Sequence, residues 1–289
     1  MSPVVRGMLW MVASGIQFAA LNTLMRGLTL TMNPLEVQAL RYCAGFLVIT
    51  PMMMRTGLAA WWPHSGWWGQ VRRGMVHTSS LVLWFTALPH ITLATTTAIS
   101  FTIPIFVMFG AVLFLGEKMI WERWVAASLG IAGVLIVVGG GLTSDGGGYT
   151  LMMLGSSPLI ACSYLISKAL TRYDKPMVIV AWQSLTVALL SLPLAALDWT
   201  WPSPEQWLLF LACGVIGSSG HYCLTRAFLA ADISATQPAK FLDLAWNAAA
   251  GLLAFGEIPT QETLIGAAVI FTSTTWLTHR ERQRRLGVG

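Results

Sequence analysis

Charge is scarce in this sequence. Only 10% of its 289 residues are Asp, Glu, Lys or Arg, against roughly 25% in an ordinary soluble domain. Hydrophobic residues make up 55%, and the mean hydropathy is +0.66. In water such a chain would leave its surface uncovered, so its solvent is lipid. No stretch is long and polar enough for a soluble domain, which weighs against a receptor or scaffold. Cys43, Cys162, Cys213 and Cys223 all lie in apolar runs, and no CxxC or Cys/His spacing suggests a disulfide or a metal. P-loop, HExxH and GxSxG motifs are missing, so direct use of ATP and the common hydrolase chemistries are not expected. The first apolar run passes through Gln17 and Asn22 without a cleavage signal and reads as a membrane helix, not a leader.

About 20 apolar residues cross the hydrocarbon core. Apolar runs between turn signals give ten crossings: 5–25, 34–54, 72–89, 92–115, 121–140, 149–168, 176–197, 205–226, 234–256 and 261–279. The one longer connection, Arg55 to Arg73, carries Trp61, Trp62, Trp67 and Trp68 and suits the membrane interface. Trp121, Trp124, Trp199, Trp201, Trp207 and Trp276 are assigned to anchoring on the same ground. Of the 17 Lys and Arg residues, all but Arg26, Arg41 and Lys240 fall on the side of the N-terminus. The net charge of +5 therefore orients helices, and no nucleic-acid partner is expected. The positive-inside rule places both termini in the cytoplasm of a bacterial inner-membrane protein.

Residues 143–289 repeat residues 1–142. Arg26-Gly27-Leu28-Thr29 matches Lys168-Ala169-Leu170-Thr171, and Pro34 and Pro51 match Pro176 and Pro193, at a spacing of 142. Ala87 matches Ala227, Thr96 matches Thr236, and Gly116-Glu117 matches Gly256-Glu257, at a spacing of 140. Five crossings is an odd number, so the second half enters from the opposite face. The expected fold is all-α: ten transmembrane helices as two inverted five-helix repeats. Secondary transporters commonly use this architecture, with the solute site near the midplane between the repeats.

Ten helices in two repeats, each with a proline-marked second helix and a fourth ending in Gly-Glu, resemble the EamA-type drug/metabolite transporters. The residues that carry it are Leu113-Phe114-Leu115-Gly116-Glu117-Lys118 followed by Gly130 and Gly133, and Leu252-Leu253-Ala254-Phe255-Gly256-Glu257 followed by Gly266. Within the superfamily the chain looks most like the YddG-type exporters of aromatic and other neutral amino acids. The resemblance implies a solute site between crossings 1, 3, 4, 6, 8 and 9. One departure is Leu244 where the first half has Pro104, which predicts a kink in the fourth crossing without an equivalent in the ninth.

Charges inside hydrocarbon cost about 2.5–3.5 kcal/mol each on insertion scales and usually face a bundle interior or a wet cavity. In the ninth crossing Thr236, Lys240, Asp243 and Asn247 would share a face of an α-helix, within about 60° of one another. They are either helix-to-helix glue built on a Lys240–Asp243 pair, or a cavity wall meeting a zwitterion. Lys240 could alternatively snorkel to water. In the fourth crossing Thr92, Thr96 and Ser100 offer hydroxyls that bond back to the helix or form the opposite wall. His77 with Ser80 and Trp84 in the third crossing, and Ser218, His221, Tyr222 and Thr225 in the eighth, are packing or transport groups. A histidine, with an ordinary pKa of about 6.5, could also take a proton. Trp84, Tyr164, Tyr222 and Trp246 lie away from the interfacial girdle and either fill the core or stack on a planar solute or its ammonium.

Arg26 closes the end of the first crossing, with Lys168 as its counterpart. Arg41 either pairs with Glu36 or reaches headgroups from the bundle edge. Ala126 and Gly130, at small-xxx-small spacing, suit close helix contact.

The expected function is an inner-membrane secondary transporter that exports aromatic and other neutral amino acids by alternating access. It should need no cofactor and no obligate protein partner. Export of cationic drugs or nucleosides is the alternative cargo, and a membrane-embedded enzyme or receptor the alternative class.

Overall fold

A computed structural model describes residues 3–116, scattered positions from 121 to 136, 147–258 and 260–285. Every regular element among them is helical: α1 (Pro3–Thr29), α2 (Pro34–Thr56), α3 (Trp67–Ala87), α4 (Leu93–Ser100), α5 (Thr102–Leu115), α6 (Gly147–Leu170), α7 (Pro176–Ala195), α8 (Pro204–Ala230), α9 (Ile233–Thr236), α10 (Leu242–Phe255) and α11 (Gln261–Arg285). Most of the fifth crossing, with Glu117, Lys118, Trp124, Ala126 and Gly130, and the 144–146 turn lie outside the described residues.

Local sequence explains where the helices start. Pro34, Pro176 and Pro204 occupy first-turn positions, where a missing N–H leaves no orphan donor. Asn33 accepts from the Leu35 N–H at 2.9 Å, and Ser203 and Gln206 form a capping box. Five segments are long and apolar enough to cross a membrane: Pro3–Thr29, Pro34–Thr56, Gly147–Leu170, Pro176–Asp198 and Pro204–Ala230. The chain is a multi-pass membrane protein.

The segments expected as the fourth and ninth crossings are not single helices. The fourth breaks at Phe101 between α4 and α5, and the ninth runs from α9 through a 3₁₀ segment, Gln237–Phe241, into α10. Phe101 and Phe241 stand at the same 140-residue spacing as the Gly-Glu pairs. The expectation of a kink in one half alone is therefore corrected. Pro238, in the first turn of the 3₁₀ segment, marks the second break in place of a counterpart to Pro104. Each broken crossing ends on a glycine with positive φ, Gly116 at 70° and Gly256 at 66°. Only glycine takes that conformation without strain, so it stops the helix and turns the next residue back. In the second case the Glu257 N–H returns to the Gly251 carbonyl at 3.2 Å.

The main packing joins elements before residue 142 to elements after it. α1 lies on α8 and α10, α2 on α7 and α8, α3 on α6 and α7, α5 on α6, and α4 on α10. Glycines permit the closest of these approaches. A side chain at Gly214 would meet the Ala44 backbone at 2.7 Å, and one at Gly74 would overlap Thr186. Polar side chains also cross the seams: Ser14 Oγ donates to the Gly220 carbonyl at 3.0 Å, Gln38 Nε2 to Ser191 Oγ at 2.8 Å, and Ser219 Oγ to Gln17 Oε1.

Candidate functional site

A cavity opens between the two sets of helices. Its wall comes from α1 (Phe18, Leu21, Asn22, Met25), α2 (Arg41, Tyr42), α3 (His77, Leu81, Trp84, Phe85), the α4–α5 break (Ser100, Phe101, Ile103, Pro104), α6 (Ile160, Tyr164), α8 (His221) and the ninth crossing (Lys240, Asp243, Asn247). Mostly apolar and aromatic, with a few convergent polar groups, it has the composition expected of a small-molecule site.

The breaks position the polar wall. Lys240 lies in the 3₁₀ segment and Asp243 in the first turn of α10, and their side chains pair at 3.2 Å. Asp243 packs where α1 has Gly15, because any side chain there would overlap the carboxylate. The Lys240 ammonium lies 5.4 Å from the Phe18 ring centroid and 5.9 Å from that of Tyr164, so aromatic faces complete its shell. Asn247 donates to the Asp243 carbonyl at 2.8 Å and accepts from Asn22 Nδ2 at 3.3 Å.

A second polar cluster joins α2, α3, α7 and α8. Tyr42 Oη reaches His77 Nε2 at 3.0 Å and His221 Nε2 at 3.5 Å. Gln183 Nε2 approaches the same His221 nitrogen at 3.4 Å, while Gln183 Oε1 accepts from Arg73 Nη2 at 2.7 Å. Arg73 also donates to the Ile179 carbonyl at 3.2 Å.

The structure gathers Lys240, Asp243, Asn247, Ser100, His77, Trp84, Tyr164 and His221 of the expected site residues at this cavity. Four others fall elsewhere. Thr236 is fully buried and bonds back to the Ile233 carbonyl at 2.8 Å. It leaves the expected stripe because the backbone turns 3₁₀ immediately after it, advancing about 120° per residue rather than 100°. Thr96 is buried outside the wall, its hydroxyl unpartnered. Tyr222 faces Trp10, ring centroids 6.1 Å apart. Trp246 is 38% exposed on the outside of α10.

Lys240 does not snorkel to water, since its side chain is 13% exposed and paired. Glu36 does not meet Arg41, because its carboxylate accepts from the Thr200 N–H and hydroxyl at 3.2 and 3.0 Å. Nor does Arg41 reach headgroups; it is 5% exposed and lines the cavity. Residue-by-residue reading passed over Tyr42, Arg73 and Gln183. The missed signal was polar side chains on α2, α3 and α7 at depths where only mutual partners could satisfy them.

At the end of the bundle where α1 stops, Arg26 forms an ion pair with Glu257 and stacks over Phe255 at 4.9 Å. Glu257 also accepts from the Leu93 N–H at 3.0 Å. At the other end Lys168 donates to the carbonyls of Phe228 and Ala231 at 2.7 and 2.9 Å. Of the interfacial tryptophans, Trp201, Trp121 and Trp207 are exposed, as anchors should be.

Residues 5–139 and 148–278 each match the EamA-like transporter family. The chain belongs to that family. It is 32% identical over 287 residues to a riboflavin transporter of Rhizobium johnstonii, covering 98% of this chain and 94% of that protein. An S-adenosylmethionine uptake transporter of Rickettsia felis is 27% identical, with 96% and 94% covered. The pseudopaline exporter CntI of Pseudomonas aeruginosa is 26% identical, with 96% and 97% covered. A crystal structure at 18% identity superposes with a TM-score of 0.71 over 97% of this chain and 98% of that one, a likeness of fold alone. These EamA-like relatives are carriers of riboflavin, S-adenosylmethionine and pseudopaline. They do not carry the narrower resemblance to amino-acid exporters.

Proposed function

We propose that the chain is a secondary carrier of a small metabolite with a planar aromatic or heteroaromatic body, moved across the bacterial inner membrane by alternating access. The observation that carries this reading is the cavity itself: aromatic and aliphatic walls from both halves around one ion pair and two histidines. Each broken crossing contributes to that wall, as the discontinuous helices of carriers do.

Three further facts support two inverted five-helix halves. The family matches the chain twice. The two breaks keep the repeat spacing. The packing pairs α1 on α8 and α3 on α6, relations that exchange when the halves exchange. Segregation of Lys and Arg supports cytoplasmic termini, which makes the Arg26–Glu257 end periplasmic.

A wall of aromatic and aliphatic side chains suits the planar ring of a flavin or of an aromatic amino acid. Export of aromatic and other neutral amino acids is one form of the proposal and carriage of riboflavin another. Purified protein in liposomes, assayed for counterflow of labelled phenylalanine, tryptophan, methionine, riboflavin and S-adenosylmethionine, tests it. Saturable counterflow of at least one solute, inhibited by its unlabelled form, is expected. No flux of any of the five, or chemical conversion of one, would overturn the reading.

A further inference from the structure

Arg41 is a buried cation whose charge nothing in the described structure balances. It is 5% exposed, and its guanidinium makes neither a hydrogen bond nor an ion pair among the described residues. Its Nε is sealed from solvent without a partner, and its nearest charge-sensitive contact is the Tyr42 ring, 4.2 Å away. Neither described acid that could serve meets it: Glu36, on the same helix, has one carboxylate oxygen on Thr200 and the other turned to no partner, and Asp243, across the cavity, holds Lys240. The charged groups on the wall are thus Arg41 and Lys240 against Asp243 alone. Burying an unpaired charge is costly enough that such groups ordinarily find a counter-charge.

Several groups around Arg41 can donate. Beside the main cavity, a side chamber with space for about one water molecule is lined by Arg41, Tyr42, Ser184, Cys213, Ser218, His221 and glycines of α2 and α8. Gly217 makes the room, since a side chain there would stand 2.7 Å from Arg41 Nη2. His221 is held as a donor by a chain of forced choices. Arg73 can only donate, so the oxygen of Gln183 faces Arg73 and its amide nitrogen faces His221. That amide donates to His221 Nε2, which must accept, so the ring proton is on Nδ1. Nδ1 is buried and unpartnered. Arg41 and His221 line both the chamber and the main cavity.

We propose that Arg41 anchors a monovalent anionic group where the two cavities meet: the carboxylate of the carried solute, or a halide ion from the medium. The first source rests on the carrier reading and narrows it to carboxylate-bearing solutes. It also assigns the solute's carboxylate to Arg41 rather than to Lys240, whose charge Asp243 already meets.

The test uses the full chain purified in detergent, with indole-3-acetate and indole-3-acetamide as probes of nearly equal shape and different charge. Calorimetry on the unaltered protein is expected to give at least tenfold tighter binding of the acid. Arg41→Gln should reduce that preference below twofold, while Arg41→Lys should keep its sign. In a parallel arm, gluconate replaces chloride without any probe. A fall of several degrees in Tm for the unaltered protein but not for Arg41→Gln would support the site with the halide as its occupant. If the unaltered protein fails to prefer the acid, and its Tm ignores chloride, the proposal is overturned without appeal to any variant. Neither readout needs flux, so a protein that prefers the acid yet moves no solute would sink the carrier reading and leave this site standing.

Discussion

Two ion pairs of similar burial are built differently in this molecule. Arg26 and Glu257 have side chains 11% and 13% exposed, and Lys240 and Asp243 13% and 15%. The first pair joins the end of α1 to the turn after α10, and Glu257 adds the α4 backbone through Leu93. The second joins neighbours three residues apart at one break in one crossing. A long-range pair holds elements together and is lost when they part. A local pair survives any rigid motion of its segment and keeps its face to the cavity throughout. On this contrast we propose Arg26–Glu257 as a latch and Lys240–Asp243 as part of the solute site.

The strongest way to break that contrast is at the local pair. Lys240→Ala and Asp243→Asn should each lower counterflow at least tenfold while leaving membrane insertion intact. Each strands a partner, and removing one member of a buried pair costs about 3–5 kcal/mol. The double variant should therefore recover much of the lost stability without recovering flux. Tm in detergent beside counterflow in liposomes makes the comparison. Full transport in both single variants would remove the pair from the site.

Glu257→Gln comes next. It keeps the shape and the hydrogen bond to Leu93 but removes the charge that Arg26 meets. If the pair is a latch, a cysteine placed at Asn22 should react several-fold faster with an impermeant thiol reagent from that side. Unchanged labelling would make the pair a brace for α1 rather than a closure.

A smaller effect is expected from the histidines. His221→Ala strips Gln183 and Tyr42 of a common acceptor, whereas His77→Ala strips Tyr42 alone. An unsatisfied buried group costs about 1–3 kcal/mol, so His221→Ala should lower Tm further than His77→Ala. Equal losses would mean that the Gln183 contact contributes nothing.

The sequence made much of this legible, and the limits have physical causes. Turn residues and charge segregation located the long helices, because lipid enforces length and apolarity on each crossing. The Gly-Glu pairs marked the ends of α5 and α10, since a left-handed cap selects glycine. Lys240 and Asp243 stood out because charge is rare there. Thr236 was misplaced because face arithmetic assumes one helical period, and Pro238 changes it one residue after Gln237. Arg41 was misread because Glu36 offered a nearby acid, and nothing in one strand of sequence says that Thr200 claims it. The Tyr42–His77–His221–Gln183–Arg73 cluster comes from α2, α3, α7 and α8, and its members acquire meaning only when packed together.

Trp84 and Trp246 give the finest comparison and the smallest expected effect. Both are tryptophans away from the interfacial girdle, and sequence alone could not separate them. Trp84 packs against three buried clusters and lines the cavity. Trp246 is 38% exposed and is not part of that cavity's wall, although Asn247, one residue on, is. One residue on an α-helix turns the side chain by about 100°, enough to carry it from the cavity to the lipid face. Trp246→Ala should leave counterflow within about twofold of the unaltered rate, and Trp84→Ala should raise the half-saturating concentration of an aromatic solute well beyond that. A loss in Trp246→Ala equal to that in Trp84→Ala would mean that α10 rotates during the cycle and brings both faces to the solute in turn.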